Sequence, residues 1–196
     1  MTLRERTTVV IVPGLRGQVE EHWQSWLAAK LPNPRVVTSF GRDKRDLRGR
    51  VADLQEVVAE AGSPVTIVAH SAGVLTTVHW AQRHDLHIDG ALLATPPDLA
   101  RPLPPEYPSL DELRECGWLP IPRDRLPFTS IVAASSNDAL GDRERVRELA
   151  TAWGSRLVDL GPVGHLNPAS GYGDWPDAER FLDQLGGMAV DEEGRR

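Results

Sequence analysis

Residues 65–73 read Val-Thr-Ile-Val-Ala-His-Ser-Ala-Gly, a short apolar run that leads directly into Ser71. The run predicts a buried β-strand, and apolar side chains at helical spacing over residues 73–84 predict a helix after it. A serine between a strand and a helix, with small residues two positions away on each side, is typical of the sharp turn that exposes a nucleophile. Ala69 and Gly73 are the small residues here, with Ala69 where glycine is more common. The alternative interpretation is that Ser71 only caps the helix, because serine is a favoured cap.

The rest of the chain repeats this alternation of short apolar runs and longer amphipathic stretches. The pattern predicts a compact α/β fold, with a mostly parallel sheet of about six strands and helices on both faces. Predicted strands cover residues 7–12, 35–38, 65–69, 90–94, 128–134 and 156–160. Predicted helices cover residues 19–31, 47–61, 73–84, 143–153 and 177–185.

The chain of 196 residues fits a single domain over residues 1–187. Near its end the apolar spacing stops and charges dominate, so residues 188–196 are predicted to form a flexible tail. Residues 95–127 contain nine prolines and no clear periodicity. So long an irregular connection is usually functional or mobile. We therefore expect it to form a small mobile cover over the site rather than core, with little or no larger lid.

The charge balance argues against a nucleic-acid partner. The formal net charge is -6 and the sequence pI is about 5.5, whereas a protein that binds duplex nucleic acid usually presents a basic face. The one cluster of Lys and Arg, residues 42–50, is interrupted by Asp43 and Asp46. This mixture predicts a solvated loop and helix start.

Cysteine content and hydropathy constrain the compartment. Cys116 is the only cysteine, so an intramolecular disulfide is impossible. No apolar run approaches the roughly 20 residues that cross a bilayer, and residues 1–8 lack a signal-like apolar stretch. We expect a cytoplasmic protein with no membrane partner.

A serine hydroxyl needs a base to take its proton before it becomes a good nucleophile. In sheets of this kind the partners follow in the order serine, acid, histidine, each on a loop after a later strand. Asp138 lies just past the fifth predicted strand and His165 just past the sixth. Because the carboxyl ends of parallel strands share one edge of the sheet, we expect both side chains near Ser71, with Asp138 orienting the imidazole.

Other acids are weaker candidates. Asp142 is placed to cap the following helix, Asp124 precedes the fifth strand, and Asp159 lies inside the sixth. An alternative role for Asp138 is an Asx turn, in which its side chain bonds the backbone two residues on.

The remaining histidines and Cys116 are also weaker candidates. His70 adjoins Ser71 but is expected to point away from it on such a turn. Four histidines lie on or beside helices and are interpreted as surface or packing residues: His22, His79, His84 and His87. No pair has the spacing of a zinc site, and Cys116 has no strand-turn context. The sequence therefore predicts no metal and no cofactor.

The oxyanion of a serine hydrolase needs two N–H donors. Residues 13–17 end the first strand with Pro-Gly-Leu-Arg-Gly, which is glycine-rich enough to turn an N–H inward. We predict Leu15 N–H and Ala72 N–H as the donors, the latter at a helix N-terminus whose dipole favours negative charge. The alternative is that residues 13–17 form a simple Gly-Pro turn.

The chain resembles the retinoblastoma-binding-protein-like (YdeN-type) serine hydrolases, small α/β-hydrolases with little lid. Matching pieces are residues 12–14, 22–27, 69–73, 136–138 and 164–176, which together span most of the chain. The most specific piece runs from the Gly-His-Leu-Asn at 164 to the Asp-Trp-Pro that ends at 176. The resemblance implies the triad Ser71, Asp138 and His165 and an esterase-like activity.

We therefore predict hydrolysis of a small carboxylic ester through an acyl-serine, although a thioesterase or amidase would use the same parts. An alternative from another class is a protein-interaction module on a hydrolase fold with incidental or no turnover. Trp23 and Trp175, with Trp26, are candidates for a substrate pocket, but tryptophans at helical spacing are more often core. The sequence does not identify a protein partner.

Overall fold

Six parallel β-strands form the sheet at the centre of the structure, a computed structural model that describes residues 6–38, 43–62 and 64–193. The strands are β1 Thr8–Val12, β2 Pro34–Val36, β3 Val65–His70, β4 Gly90–Ala94, β5 Ser130–Ala134 and β6 Arg156–Asp159. Their order across the sheet is β2-β1-β3-β4-β5-β6, and every neighbouring pair is parallel. The predicted α/β class and strand number are confirmed.

Helices cover both faces of the sheet. They are α1 Trp23–Lys30, α2 Leu47–Ala61, α3 Ala72–Ala81, α4 Leu110–Glu115, α5 Arg143–Trp153 and α6 Asp177–Glu193. Buried side chains of α2, α3 and α5 share one apolar cluster with alternate strand residues. Those of α1 and α6 share a second cluster with the remaining strand residues. Because side chains alternate between the two sides of a strand, the central strands are buried on both faces.

Helix α2 shows how the sequence sets local structure. Leu47, Val51, Leu54 and Val58 recur at helical spacing and are all buried. The helix stops at Gly62, whose φ of 67° glycine adopts without steric cost. The predicted bounds of this helix are confirmed.

The last helix is longer than predicted. It continues to Glu193 instead of ending at residue 185, so residues 188–193, expected in a flexible tail, are helical. Gly186 and Gly187 interrupt the apolar spacing, and glycine is a poor helix former, which is why the sequence pattern ended the helix too early. Residues 194–196 lie outside the described part of the chain.

The long connection between β4 and β5, residues 95–127, contributes several side chains to the core. It contains α4 and contributes Leu99, Leu113, Trp118 and Leu126 to the buried cluster on the α2 side of the sheet. The expectation that the connection lies outside the core is therefore wrong, because these apolar side chains pack inward despite the prolines around them; its role as a mobile cover stays a prediction. The same connection also borders the site described below.

The order of the strands reverses between β1 and β3. From β1 the chain moves to β2 on one side and then returns to β3 on the other. In open α/β sheets, ligands bind at the carboxyl ends of the strands where the order reverses in this way. Ser71 follows the end of β3, and the loop of residues 13–17 follows the end of β1. The topology therefore places both beside the same crevice.

Candidate active site

Ser71 occupies a strained turn between β3 and α3. Its φ of 55° is positive, a conformation that non-glycine residues rarely adopt outside functional sites. Its N–H donates a hydrogen bond of 3.0 Å to the carbonyl oxygen of Ala94 on β4. A Cβ on Gly73 would lie 2.1 Å from the carbonyl oxygen of Val12, so glycine is required for α3 to pass this close to β1. The predicted order of strand, sharp turn and helix is confirmed.

The Ser71 hydroxyl faces a histidine instead of the helix behind it. Its Oγ lies 2.8 Å from Nε2 of His165, and the side chain makes no cap hydrogen bond to α3. The interpretation of Ser71 as only a helix cap is therefore wrong.

Asp138 lies on the other side of the same imidazole. Its Oδ2 is 2.8 Å from Nδ1 of His165, while its Oδ1 accepts a hydrogen bond from Leu140 N–H at 2.9 Å. The Asx turn and the contact with histidine therefore coexist, one on each oxygen. A carboxylate only accepts hydrogen bonds, so Nδ1–H donates to it and Nε2 is left to accept from the Ser71 hydroxyl. All three residues are buried.

A short network holds the histidine loop in place. Gly164 has a φ of 60°, and a Cβ there would lie 2.5 Å from Ser170 Oγ. That hydroxyl accepts from His165 N–H at 3.1 Å and donates to Asn167 Oδ1 at 3.0 Å. Asn137 Oδ1, next to Asp138, accepts from Gly164 N–H at 2.7 Å. These hydrogen bonds hold the loop of residues 164–170 in one conformation and so fix the position of the His165 imidazole.

The competing acids have other partners. Asp142 caps α5 by accepting from Glu144 N–H and Arg145 N–H. Asp159 accepts from Gly161 N–H and pairs with Arg143; that backbone hydrogen bond is the main cause that lowers its pKa. Neither carboxylate bonds to His165 within the described residues.

The two predicted oxyanion donors lie beside Ser71. Ala72 is the first residue of α3, and N–H groups in the first turn of a helix have no acceptor within it. Leu15 follows Gly14, and a Cβ on Gly14 would lie 3.3 Å from Ser71 Cβ. Leu15 and Ala72 both line a cavity that opens onto Ser71. Their donor roles stay predictions.

Arg50 anchors the loop after β1, a role that its charged sequence neighbours do not indicate. Its side chain is buried and donates to the Pro13 carbonyl oxygen at 2.7 Å and to Thr76 Oγ1 at 3.2 Å. Burial lowers the pKa of its guanidinium to about 10, partly offset by Asp53. The predicted solvated surface is right for Lys44 and Arg48, which are exposed, and wrong for Arg50. Residue 42 lies outside the described residues.

The side chain of His70 holds the backbone of His165, the candidate catalytic base. Its Nε2 lies 2.9 Å from the carbonyl oxygen of His165, so Nε2–H donates this hydrogen bond. Burial lowers the pKa of His70 well below its ordinary value, helped by the neighbouring His165 and His22. His70 is thus a neutral packing residue that fixes the position of His165.

His22 is a packing residue, one of the two roles expected for it, and it also borders the site. It precedes α1, and its Nδ1 accepts from Gln24 N–H at 3.2 Å. Its ring centroid lies 4.5 Å from that of His70. Burial, and then the neighbouring His165, lower the pKa of His22 to about 4. The sequence pattern predicts a helix over residues 19–31 that includes His22, so its position directly before α1 is a finding of the structure.

The predicted substrate contacts of Trp23 and Trp175 are wrong. Both are buried in the cluster beneath α1 and α6, and their rings meet edge to face with centroids 4.8 Å apart. Neither of them lines the two cavities beside Ser71 that are described below. The core interpretation holds for this pair, whereas Trp26 is exposed.

A family pattern covers the region that builds this site. The pattern described as serine hydrolase matches residues 9–184. The chain belongs to the serine hydrolase family. The predicted enzyme class, a serine hydrolase, is confirmed, and the match includes every residue discussed above as part of the site.

Solved structures share the fold of this hydrolase. A protein from Pectobacterium atrosepticum, named a YdeN-like hydrolase, is 28% identical with a TM-score of 0.79 over 95% of this chain and 94% of its own. The ydeN gene product of B. subtilis is 19% identical with a TM-score of 0.73 over 92% of this chain and 99% of its own. Est1E from Butyrivibrio proteoclasticus is 14% identical with a TM-score of 0.66 over 96% and 88%. The resemblance to YdeN-type hydrolases is confirmed. Comparison with curated proteins gives no significant match.

The described part of the chain lacks two other kinds of feature. In residues 6–38, 43–62 and 64–193, no three His, Cys, Asp or Glu side chains group closely enough to hold a metal ion. In the same residues, no helix combines the length and apolar character needed to cross a membrane.

Proposed function

We propose that the hydrolase cleaves a small carboxylic ester through an acyl-serine intermediate. Ser71 is the nucleophile, His165 the general base and acid, and Asp138 the residue that orients the imidazole. The observation that carries the proposal is the unbroken series of contacts from Ser71 Oγ to His165 Nε2 and from His165 Nδ1 to Asp138 Oδ2, each 2.8 Å long. A base within hydrogen-bond reach of a hydroxyl, itself oriented by a third group, is the arrangement that activates a serine.

Acylation follows from these contacts. Ser71 Oγ attacks the carbonyl carbon of the ester while its proton passes to His165 Nε2. The carbonyl oxygen becomes an oxyanion, which the N–H groups of Leu15 and Ala72 stabilise. The tetrahedral intermediate then collapses, the bond to the alkoxy oxygen breaks, and His165 gives its proton to the leaving alcohol. Asp138 remains ionised and stabilises the imidazolium.

Deacylation repeats the sequence with water. His165 takes a proton from a water molecule, whose oxygen attacks the acyl carbon on Ser71. The same two N–H groups stabilise the second oxyanion. When it collapses, the carboxylic acid leaves and Ser71 Oγ regains the proton from His165. A thioester or an amide would react through the same steps, since the leaving atom changes and the protein groups do not.

A fluorophosphonate probe and p-nitrophenyl acetate test the proposal. The parent protein should be labelled by the probe and should turn over the ester. Ser71→Ala should lose labelling, and kcat should fall by on the order of 10⁶, with the thermal transition nearly unchanged. Ser136→Ala is the matched control, because Ser136 is an exposed serine close to Asp138, and it should keep labelling and turnover.

Two results would contradict the proposal. Labelling that persists in Ser71→Ala would assign the nucleophile to another residue. A parent protein that is folded but neither labelled nor active on oxygen esters, thioesters or amides would support the alternative of an interaction module on a hydrolase fold.

A further inference from the structure

Two cavities of different chemistry open onto Ser71. The first, which we name the apolar slot, has a volume of about 30 Å³. Apart from Ser71 and Tyr107 its lining residues are apolar; they include Leu75 of α3 and four side chains from the connection between β4 and β5, namely Leu99, Leu103, Leu113 and Trp118. The connection that the sequence predicted as a cover therefore forms most of one wall of the site.

The second cavity, which we name the histidine pocket, is larger and more polar. Its volume is about 140 Å³, and it is lined by His165 together with His22, His70 and Asn167. The pocket includes the imidazole whose Nε2 faces Ser71, whereas the apolar slot does not include His165.

The position of His165 decides which half of an ester enters which cavity. Under the proposed function, on which this inference rests, His165 Nε2 must protonate the leaving oxygen. Proton transfer requires that oxygen within hydrogen-bond reach of Nε2, so the alcohol lies on the side of the histidine pocket. The acyl chain leaves the carbonyl carbon in another direction, and the apolar slot, which also borders Ser71 and Ala72, receives it.

We propose that the hydrolase is specific for esters of short aliphatic acids that carry a larger alcohol. A cavity of about 30 Å³ equals roughly the volume of one water molecule in the liquid, so it holds only about one or two carbons beyond the carbonyl carbon, and longer acyl chains require the slot to widen. Its apolar walls favour methylene groups over charged or hydroxylated ones. The histidine pocket, at about 140 Å³, has room for the larger group.

Tyr107 divides the two cavities and sets this specificity. It is half-buried and lines both of them, together with Leu15 and Ser71. The guanidinium of Arg16 lies over its ring, 5.9 Å from the centroid, a distance at which a cation and an aromatic ring attract. The ring therefore forms part of the wall that the slot and the histidine pocket share.

A series of p-nitrophenyl esters tests the assignment, because the alcohol stays constant while the acyl chain changes. We expect kcat/KM for the butyrate to exceed that for the octanoate by at least roughly tenfold, since extra methylenes in a filled apolar cavity are poorly tolerated. Leu103→Ala shortens a half-buried residue of the slot wall. It should raise the ratio of kcat/KM for the octanoate to kcat/KM for the butyrate by roughly tenfold. Leu110→Ala is the matched control, because Leu110 is half-buried in the same connection and packs on the same core cluster outside the slot.

Two variants of Tyr107 test the divider independently. Tyr107→Phe keeps the ring and should leave the ratio unchanged. Tyr107→Ala joins the two cavities and, like Leu103→Ala, should raise the octanoate-to-butyrate ratio of kcat/KM. A thermal transition for each variant verifies that it is folded.

The outcomes separate the two proposals. If the parent protein is labelled by a fluorophosphonate and hydrolyses the octanoate as fast as the butyrate, the assignment of the acyl chain to the slot is wrong while the proposed function stands. The assignment is also wrong if Leu103→Ala and Tyr107→Ala leave the ratio at the parent value. If the folded parent is neither labelled nor active on any ester, the proposed function and this inference fail together.

Discussion

Nδ1 of His165 lies 2.8 Å from Oδ2 of Asp138, and both side chains are buried. The carboxylate is itself held by Leu140 N–H on its other oxygen, so it has little freedom to turn away from the imidazole. Because a carboxylate only accepts, the contact fixes the histidine tautomer that leaves Nε2 free to accept a proton from Ser71. The orientation of His165 thus depends on one carboxylate.

Replacing that carboxylate by an amide should impair catalysis. Asp138→Asn keeps the size of the side chain but presents an N–H toward Nδ1, which favours the wrong tautomer, and kcat should fall by on the order of 10⁴. Steady-state turnover of p-nitrophenyl acetate and the rate of fluorophosphonate labelling both measure the loss.

Asp142→Asn is the control for this variant. Asp142 accepts two backbone hydrogen bonds at the start of α5, and asparagine is as good a cap as aspartate, so turnover and stability should stay close to the parent values. Equal losses of kcat in the two variants, or a loss only at position 142, would reassign the acid.

The oxyanion assignment is tested by removing a backbone donor. Leu15→Pro deletes the N–H and should lower kcat by on the order of 10²-fold or more, as the loss of one oxyanion donor does elsewhere. The measurement is kcat on p-nitrophenyl butyrate, with circular dichroism to verify that the variant is folded.

Leu15→Ala separates the donor from the side chain, because it keeps the N–H and trims the rest. It should remain active on the same ester. A folded Leu15→Pro protein that works at the parent rate would place the second donor elsewhere, with Arg16 N–H the next candidate.

Stability should fall in mild acid because of buried neutral histidines. The pKa of His22 is lowered to about 4 by burial, whereas an unfolded histidine has a pKa of about 6.5. Between these values the unfolded chain binds a proton that the folded chain does not. The free energy of unfolding should therefore be flat above about pH 6.5 and decrease below it, by up to about 1.4 kcal/mol per pH unit for one such group. His70, whose pKa is also lowered by burial, adds to the slope in the same direction.

Urea unfolding between about pH 5 and pH 8 measures this slope. His22→Asn removes one titrating group and keeps a favoured cap before α1, so its curve should be less steep than that of the parent. His87→Asn, on the exposed surface, should leave the slope as it is. Parallel curves for the parent and His22→Asn would show that His22 does not contribute.

The sequence was most informative where the signal is local. The run of residues 65–73 combines a strand, a serine between small residues and a helix, and each part follows from short-range patterning. Asp138 and His165 were found because the ends of parallel strands share one edge, so a position after a strand already implies a position in space. The class of fold and the contacts among these three residues were therefore predictable.

Tertiary packing was less visible in the sequence. Arg50 lies among charged residues in the chain and yet its side chain is buried, because its partners are the carbonyl oxygen of Pro13 and the hydroxyl of Thr76. Trp23 and Trp175 lie in the core. Tryptophan is common both in cores and in pocket walls, so the residue type alone does not distinguish the two. Periodicity marks an apolar face and does not say what covers it. The predicted cytoplasmic location stays a prediction.

The hydrogen bond from Arg50 to Pro13 joins residues 37 positions apart, and this has a consequence for protein engineering. A graft of residues 13–17 and the turn around Ser71 into another parallel sheet would transfer Ser71 and the two predicted N–H donors without the guanidinium that holds the first loop. The unit that must be transplanted is discontinuous in the chain, and α2 belongs to it as much as the two loops do.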